Sequence, residues 1–300
     1  MRDEEERKKQ ERKEAQNMKI AVVTDSASGI YPEEAERLGI RVVPMPVTID
    51  GREYLETVDL DHEFFFRCQR EGAEITTSQP APGTLTELWE ELLKDHEGVL
   101  YLPMTSGLSS SYITAAALAE DYDGRVMVPD AKRISVPQWQ AVQDALTLAG
   151  KGLPLAEVCR RLEEKALSSS IYITPSTLEF LKKGGRITPA AAAIGTVLNL
   201  KPVLQIQGGK VDAYGKARGT RQAVEKMFDA LDRDLRERFA GKKTRVFAAY
   251  SGDEAFGKDW QAQVQARYPD APVRCDPLSL SICCHTGPGA MGLGCAEYEE

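Results

Sequence analysis

Short apolar runs separated by polar turns open the interpretable part of the chain. Ile20–Val23 reads as a buried strand, followed by the polar turn Thr24-Asp25-Ser26. Pro32 then opens a helix that Gly39 closes, proline inside the first turn and glycine past the last. Ile40–Ile49 reads as one further strand, ended by Asp50-Gly51. Leu85, Leu88, Trp89, Leu92 and Leu93 recur at helical spacing before Gly98. Val99–Leu102 is a strand, Thr105–Ser111 a hydroxyl-rich turn, and an Ala-rich helix starts at Tyr112. Arg125–Val128 completes the alternation. Strands alternating with helices predict parallel βαβ units, hence a doubly wound sheet.

After Gly150–Pro154 the pattern changes. Leu155–Leu167 is helical and Ile171–Thr174 extended. Val203–Gln207 and Lys210–Tyr214 flank Gly208-Gly209, a hairpin signal. A long amphipathic helix (Gln222–Phe239), a strand (Arg245–Tyr250), another helix and a strand near Val273 follow. The expectation is α/β overall: a charged flexible tail (1–17), a parallel doubly wound domain (18–152) and an α+β domain (153–300), with a ligand between the two.

Composition narrows the function classes. The chain has 300 residues, 42% hydrophobic and 28% charged, as an ordinary globular protein does. Its 38 basic and 46 acidic residues leave a net charge of −8. Arg2–Glu14 is a run of mixed charge that buries no apolar surface, and the tail to Asn17 is electrically balanced, so the folded body carries the deficit. A nucleic-acid partner would need a basic face, which this balance argues against. The opening residues do not read as a signal peptide, and the most apolar window, Pro189–Leu200, is far too short for a bilayer span. Six cysteines without Cys-x-x-Cys spacing read as reduced thiols, and a cytoplasmic location is expected. Three histidines, none at ligand spacing from another, predict no zinc site.

Two nucleotide-binding patterns are decoys. Gly287–Gly292 matches G-x-G-x-x-G but leaves no room for the helix and second strand that must follow. Gly209–Lys216 is one residue too long for a phosphate loop, and Ala217 stands where a hydroxyl must hold magnesium.

Three hydroxyl clusters are more informative: Thr24 with Ser26, Thr76-Thr77-Ser78, and Thr105 with Ser106 and Ser109. Two follow strands, where ligands of open α/β sheets bind. None contains Lys or Arg, which favours a single carboxylate over a phosphate-rich ligand. Turn and cap chemistry accounts equally well for each cluster taken alone. His285, beside Gly287-Pro288-Gly289, sits on a tight turn from which its ring can enter a cleft. Lys182 and Lys183 complement a helix C-terminus that Gly184-Gly185 ends; Arg186 lies beyond what that account needs.

Val23–Ser26, Thr77–Pro80, Thr105–Ser109, Gly184–Ile187, Leu200–Val203 and His285–Gly289 occur in the order seen in the DegV family, and the chain resembles that family from about Lys19 to Gly294. The resemblance implies a two-domain fold that holds a fatty acid non-covalently, in many members as the binding subunit of bacterial fatty acid kinase. It implies that Thr77, a serine of the third cluster (Ser106 or Ser109) and His285 hold the carboxylate, with Ser78, Thr24 and Ser26 nearby, and that Arg186 helps dock an ATP-dependent kinase. No catalytic residue, metal or cofactor is then expected beyond the bound acid. The segment Asp130–Trp139 departs from the family's glycine-containing stretch, with Pro137 and Trp139 adding bulk, and would alter acyl selectivity if it lines the pocket. Ser110-Ser111 is a weaker departure. Leu178, Phe180, Leu181 and the Ala190–Leu200 stretch are candidate lining or plain core. The rival function is an acyl hydrolase with Ser106 or Ser109 activated by His285; the absence of a Gly-x-Ser-x-Gly elbow argues against it.

Overall fold

A computed structural model describes residues 19–194, 200–271 and 273–300. The charged tail and residues 195–199 of the Ala-rich stretch lie outside the described residues. In chain order the first half contains β1 (Ile20–Asp25), α1 (Pro32–Leu38), β2 (Arg41–Val43), β3 (Pro46–Ile49), β4 (Arg52–Leu55), α2 (His62–Glu71), β5 (Ile75–Thr77), α3 (Pro82–Leu92), β6 (Gly98–Leu102), α4 (Ser111–Ala119) and β7 (Val126–Met127). Then come α5 (Val136–Gly150), α6 (Leu155–Glu164), β8 (Ser169–Thr174), α7 (Glu179–Gly184), α8 (Pro189–Ile194), β9 (Lys201–Ile206) and β10 (Asp212–Ala217). The chain closes with α9 (Thr220–Glu237), β11 (Thr244–Tyr250), α10 (Glu254–Arg267), β12 (Arg274–Pro277), α11 (Leu280–Thr286) and β13 (Met291–Glu297).

The first sheet is parallel, in the order β2-β1-β6-β7. Its strand order reverses between β1 and β6, which makes it doubly wound. The second sheet is mixed, in the order β10-β9-β8-β13-β11-β12, antiparallel except for β11 with β12. A small antiparallel sheet, β4-β3-β5, completes the set. The single strand expected over Ile40–Ile49 is in fact two, β2 and β3, in different sheets. Pro44 and Pro46 lack the N–H groups that a continuous ladder would use, and the chain turns between them.

Helix α5 was not predicted from periodicity, and the structure shows why. It packs on β1 and β6 on one side and on β11 and β13 on the other, and only a strip of its second half (Gln143, Leu146, Thr147, Gly150) reaches solvent. Val136–Val142 are buried without a break, including the polar Gln138 and Gln140. A stretch enclosed all round, as this first half is, carries no 3.6-residue stripe. Some of its polar groups are paired: Asp144 lies 3.5 Å from the buried Arg133 and accepts a hydrogen bond from Gln140 at 2.8 Å, whereas the Gln138 and Gln140 side-chain oxygens have no hydrogen-bond partner among the described residues. Trp139 closes the seam between the halves. Its indole N–H donates to Glu34 of α1 at 2.8 Å, and the Arg274 guanidinium of β12 stacks 4.1 Å above its ring. Arg274 also makes a two-pronged ion pair with Glu34 (3.0 and 2.8 Å).

The core is shared by both halves. Val22, Leu100 and Leu102 of the first sheet belong to one cluster with Ile173, Leu204 and Phe247 of the second. Helix α6, which follows Gly150–Pro154, covers β6 and β7 of the first sheet. The Gly287–Gly292 decoy leads into β13, which lies in the middle of the second sheet between β8 and β11.

Candidate functional site

Between the halves lies a cavity of about 210 Å³. Met45, Met104 and Ile134 from the first half and Ile173, Ile206 and Val211 from the second supply much of its apolar wall. Leu181 of α7 and Ile282 of α11 complete that wall, whereas Phe180 lines a separate outer pocket and Leu178 belongs to the core. The β9–β10 turn closes the seam above. Thr105 donates to the Gly208 carbonyl at 2.7 Å, and a Cβ on Gly107 would stand 2.6 Å from the Gly209 Cα. Backbone there meets backbone.

Polar groups gather at one corner. Helix α11 turns Ser281, Ile282, His285 and Thr286 toward the cavity, a helical i, i+1, i+4, i+5 face. The His285 Nε2 lies 3.0 Å from the Thr77 hydroxyl at the end of β5. Its Nδ1 is buried without a hydrogen-bond partner among the described residues, packed so closely on Gly184 that a Cβ there would approach to 2.2 Å. Burial, and then the neighbouring Arg186 charge, pull the His285 imidazole down from 6.5 to about 4. The ring is therefore neutral at physiological pH, with one N–H donor and one acceptor. If Nε2 carries the proton and donates to Thr77, the Thr77 hydroxyl is free to donate onward to an anion. Ser78, Gln79, Ser109 and Ser110 also line the cavity. Gln79 ties the two loops together by accepting from Ser110 at 2.9 Å and Thr114 at 3.0 Å.

Five of the sequence candidates thus share one wall: Thr77, Ser78, Ser109, Arg186 and His285. Arg186 is half-buried, donating to the Leu108 carbonyl at 3.4 Å and to the Gly184 carbonyl. With Thr77 and His285 it also lines the outer pocket, of about 310 Å³, which includes Lys183 and Glu74. The corner is a partition between the apolar cavity and an outer pocket to which Lys183, Glu74 and Arg186 bring charge.

Thr24, Ser26 and Ser106 are elsewhere. Thr24 is fully buried and donates to the Leu102 carbonyl at 2.7 Å. Ser26 donates to Glu56 at 2.7 Å and accepts from the Met45 N–H at 2.9 Å. Ser106 is held by Asp130, itself 3.2 Å from the Lys132 ammonium. The carboxyl ends of β1 and β6, which two of the hydroxyl clusters follow, are met by α5. Gln138 donates to Thr24 (3.1 Å), Asp25 (2.8 Å) and the Leu102 carbonyl (3.2 Å). Ile134 and Ser135 reach the cavity, whereas Pro137 and Trp139 do not, so the bulk of that departure lies outside the wall. The Ser–His pair of a hydrolase is not formed: His285 bonds Thr77, Ser106 bonds Asp130, and Ser109 bonds Ser111 at 2.8 Å.

Sequence reasoning missed Ser135, Ser281 and Thr286 on the wall, and the buried Glu56 behind it. The spacing of Ser281 and His285, four apart, was the available signal once that segment was known to be helical.

The family model for DegV, described as an uncharacterised protein family, matches residues 19–297. The chain belongs to the DegV family. A DegV domain-containing protein of Listeria monocytogenes is 31% identical over 280 residues, spanning 92% of this chain and 98% of the relative. A DegV-family structure from Thermus thermophilus, described in terms of fatty acid binding, superposes with a TM-score of 0.83 at 36% identity, covering 93% of this chain and 100% of that one. DegV of Bacillus subtilis, described as a fatty acid binding protein, gives 0.82 at 28% identity, covering 94% and 100%. The two solved DegV structures thus share this chain's overall fold. Among the described residues no helix is long and apolar enough to cross a membrane.

Proposed function

We propose that the protein binds a long-chain fatty acid non-covalently and presents its carboxylate at the Thr77–His285 corner to a separate ATP-dependent fatty acid kinase, which makes the acyl phosphate. The observation that carries this reading is the apolar cavity whose polar corner is a neutral histidine paired with a threonine. Each buried methylene contributes about 0.8 kcal/mol, so the chain supplies most of the affinity. A few hydroxyl donors then need only orient the head group. In this reading the carboxylate accepts from Thr77, with Ser109 or Ser110 beside it, while Arg186 faces the partner through the outer pocket. Catalysis resides in the kinase; the binding subunit needs no metal or cofactor and acts in the cytoplasm.

Mass spectrometry of the purified protein, native and then after organic extraction, tests the ligand class. One or two fatty acids released on extraction support the reading. An empty protein that also ignores added fatty acids overturns it. Arg186→Ala tests the partner: kinase-dependent phosphorylation should fall while the bound acid stays.

A further inference from the structure

The helix that carries His285 is capped from the other half of the molecule. Ser279 holds the N-cap position of α11, yet its side chain makes no capping bond. Its hydroxyl lies 3.1 Å from Ser281 Oγ instead. The carboxylate of Glu56, in the loop after β4, takes over that role. Its Oε1 accepts from the Leu280 backbone N–H, and its Oε2 accepts from the Ser281 hydroxyl at 2.9 Å and the Ser26 hydroxyl at 2.7 Å. Glu56 is 3% exposed, and each of these partners is a donor. Seven residues make only a few internal hydrogen bonds, so the helix relies on its surroundings for position. Ser281 and His285 lie one turn apart on its cavity face. An anchor at the first turn therefore sets where the imidazole meets Thr77.

We propose that Glu56 is a positioning residue for the head-group corner, capping α11 across the seam and so holding His285 against Thr77. The consequence for ligand retention rests on the fatty-acid reading; the consequence for His285 does not.

Burial pushes the Glu56 carboxyl up from 4.5 to about 7, against the pull of its donors. The cap consequently changes charge near neutrality. Titratable neighbours stay uncharged there: burial raises the Tyr31 phenol above its ordinary value and the Cys283 thiol to about 12. His62, 3.0 Å from the Tyr31 hydroxyl, is pulled below its ordinary value by burial. Asp25, next to Ser26, is pushed up to about 6 and must be controlled for.

The test follows the release of cis-parinaric acid by fluorescence from pH 5.5 to 8.5 in wild type, Glu56→Gln and Asp25→Asn. Wild type should release the probe faster as pH rises through about 7, because the buried site favours the protonated carboxyl and ionisation loosens it. Glu56→Gln should lose that step and release roughly tenfold faster at the acid end, the scale of one lost helix cap. Asp25→Asn should keep the step. A second readout needs no ligand: the imidazole nitrogen resonances of His285, assigned with His285→Gln, should move in Glu56→Gln. Wild-type release and an unmoved His285 signal in Glu56→Gln would overturn the proposal. If wild type takes up no probe, the fatty-acid reading falls, and the His285 resonance still decides the role of Glu56. If Glu56→Gln does not fold, Ser26→Ala removes one donor outside the cavity wall. It should give a smaller shift of the same sign, and no shift counts against the cap.

Discussion

The turn after β1 and the turn after β5 look alike in sequence, each with a threonine and a serine at the end of a strand. One is fully enclosed and the other opens on a cavity. Thr24, Asp25 and Ser26 use their polar atoms on Leu102, Met104, Gln138 and Glu56. Thr77 has a histidine beside it and empty space in front. The difference comes from what a distant segment does. Gln138 enters the first site and satisfies it, whereas α11 brings His285 to the second and leaves room. Hydroxyls at strand ends therefore identify polar corners of the fold; which corner binds depends on whether another element has filled it.

The sharpest way to break this comparison is to cut the element that fills the first turn. Trp139→Ala removes a buried indole and its bond to Glu34, and should cost about 3–5 kcal/mol in urea unfolding. The profile of extracted fatty acids should stay unchanged; a changed profile would mean that the helix shapes the cavity directly. Asp25→Ala strips the acceptor from the buried Ala27 and Met104 N–H groups, for a loss of about 1–3 kcal/mol by the same assay.

Thr77→Val is the matching cut at the second turn. Retention of the fatty acid should fall by roughly tenfold, the worth of one good hydrogen bond to a charged group. The unfolding midpoint should barely move, since the Thr77 side chain is only half-buried. Lost stability with intact retention would reverse the two assignments.

The smallest effect is one of pH. Burial raises the Asp25 carboxyl from 3.8 to about 6, so the folded chain holds that proton more tightly than the unfolded one. Its contribution to stability is complete below pH 3.8 and is lost as pH rises through about 6. His285 runs the other way: its contribution is complete above pH 6.5 and is lost as pH falls through about 4. Urea midpoints from pH 4 to 7 should lose the first slope in Asp25→Asn and the second in His285→Gln.

Much of the architecture was legible because local rules and the final fold agree. Pro32 and Gly39 bound α1, Gly208-Gly209 sits at the β9–β10 turn, and the β-α alternation of the first half yields its parallel sheet. Legibility failed where burial is two-sided. Helix α5 shows no stripe over Val136–Val142 because that stretch is buried all round, and β13 hid behind a glycine pattern that suits a strand packed closely on its neighbours. The corner was half legible. Thr77 and His285 emerged from the motif series, but neither periodicity nor composition could show that α5 had closed the first turn, or that Glu56 reaches a helix 224 positions away.

The meeting of Gly107 with Gly209 has an architectural consequence of its own. Two stretches of bare main chain shut against each other above the cavity, with no side chain to compress or swing aside. One added methyl at position 107 would work as a doorstop. The lips of the seam could then no longer meet, and under the fatty-acid reading a chain left ajar in this way would exchange its ligand freely.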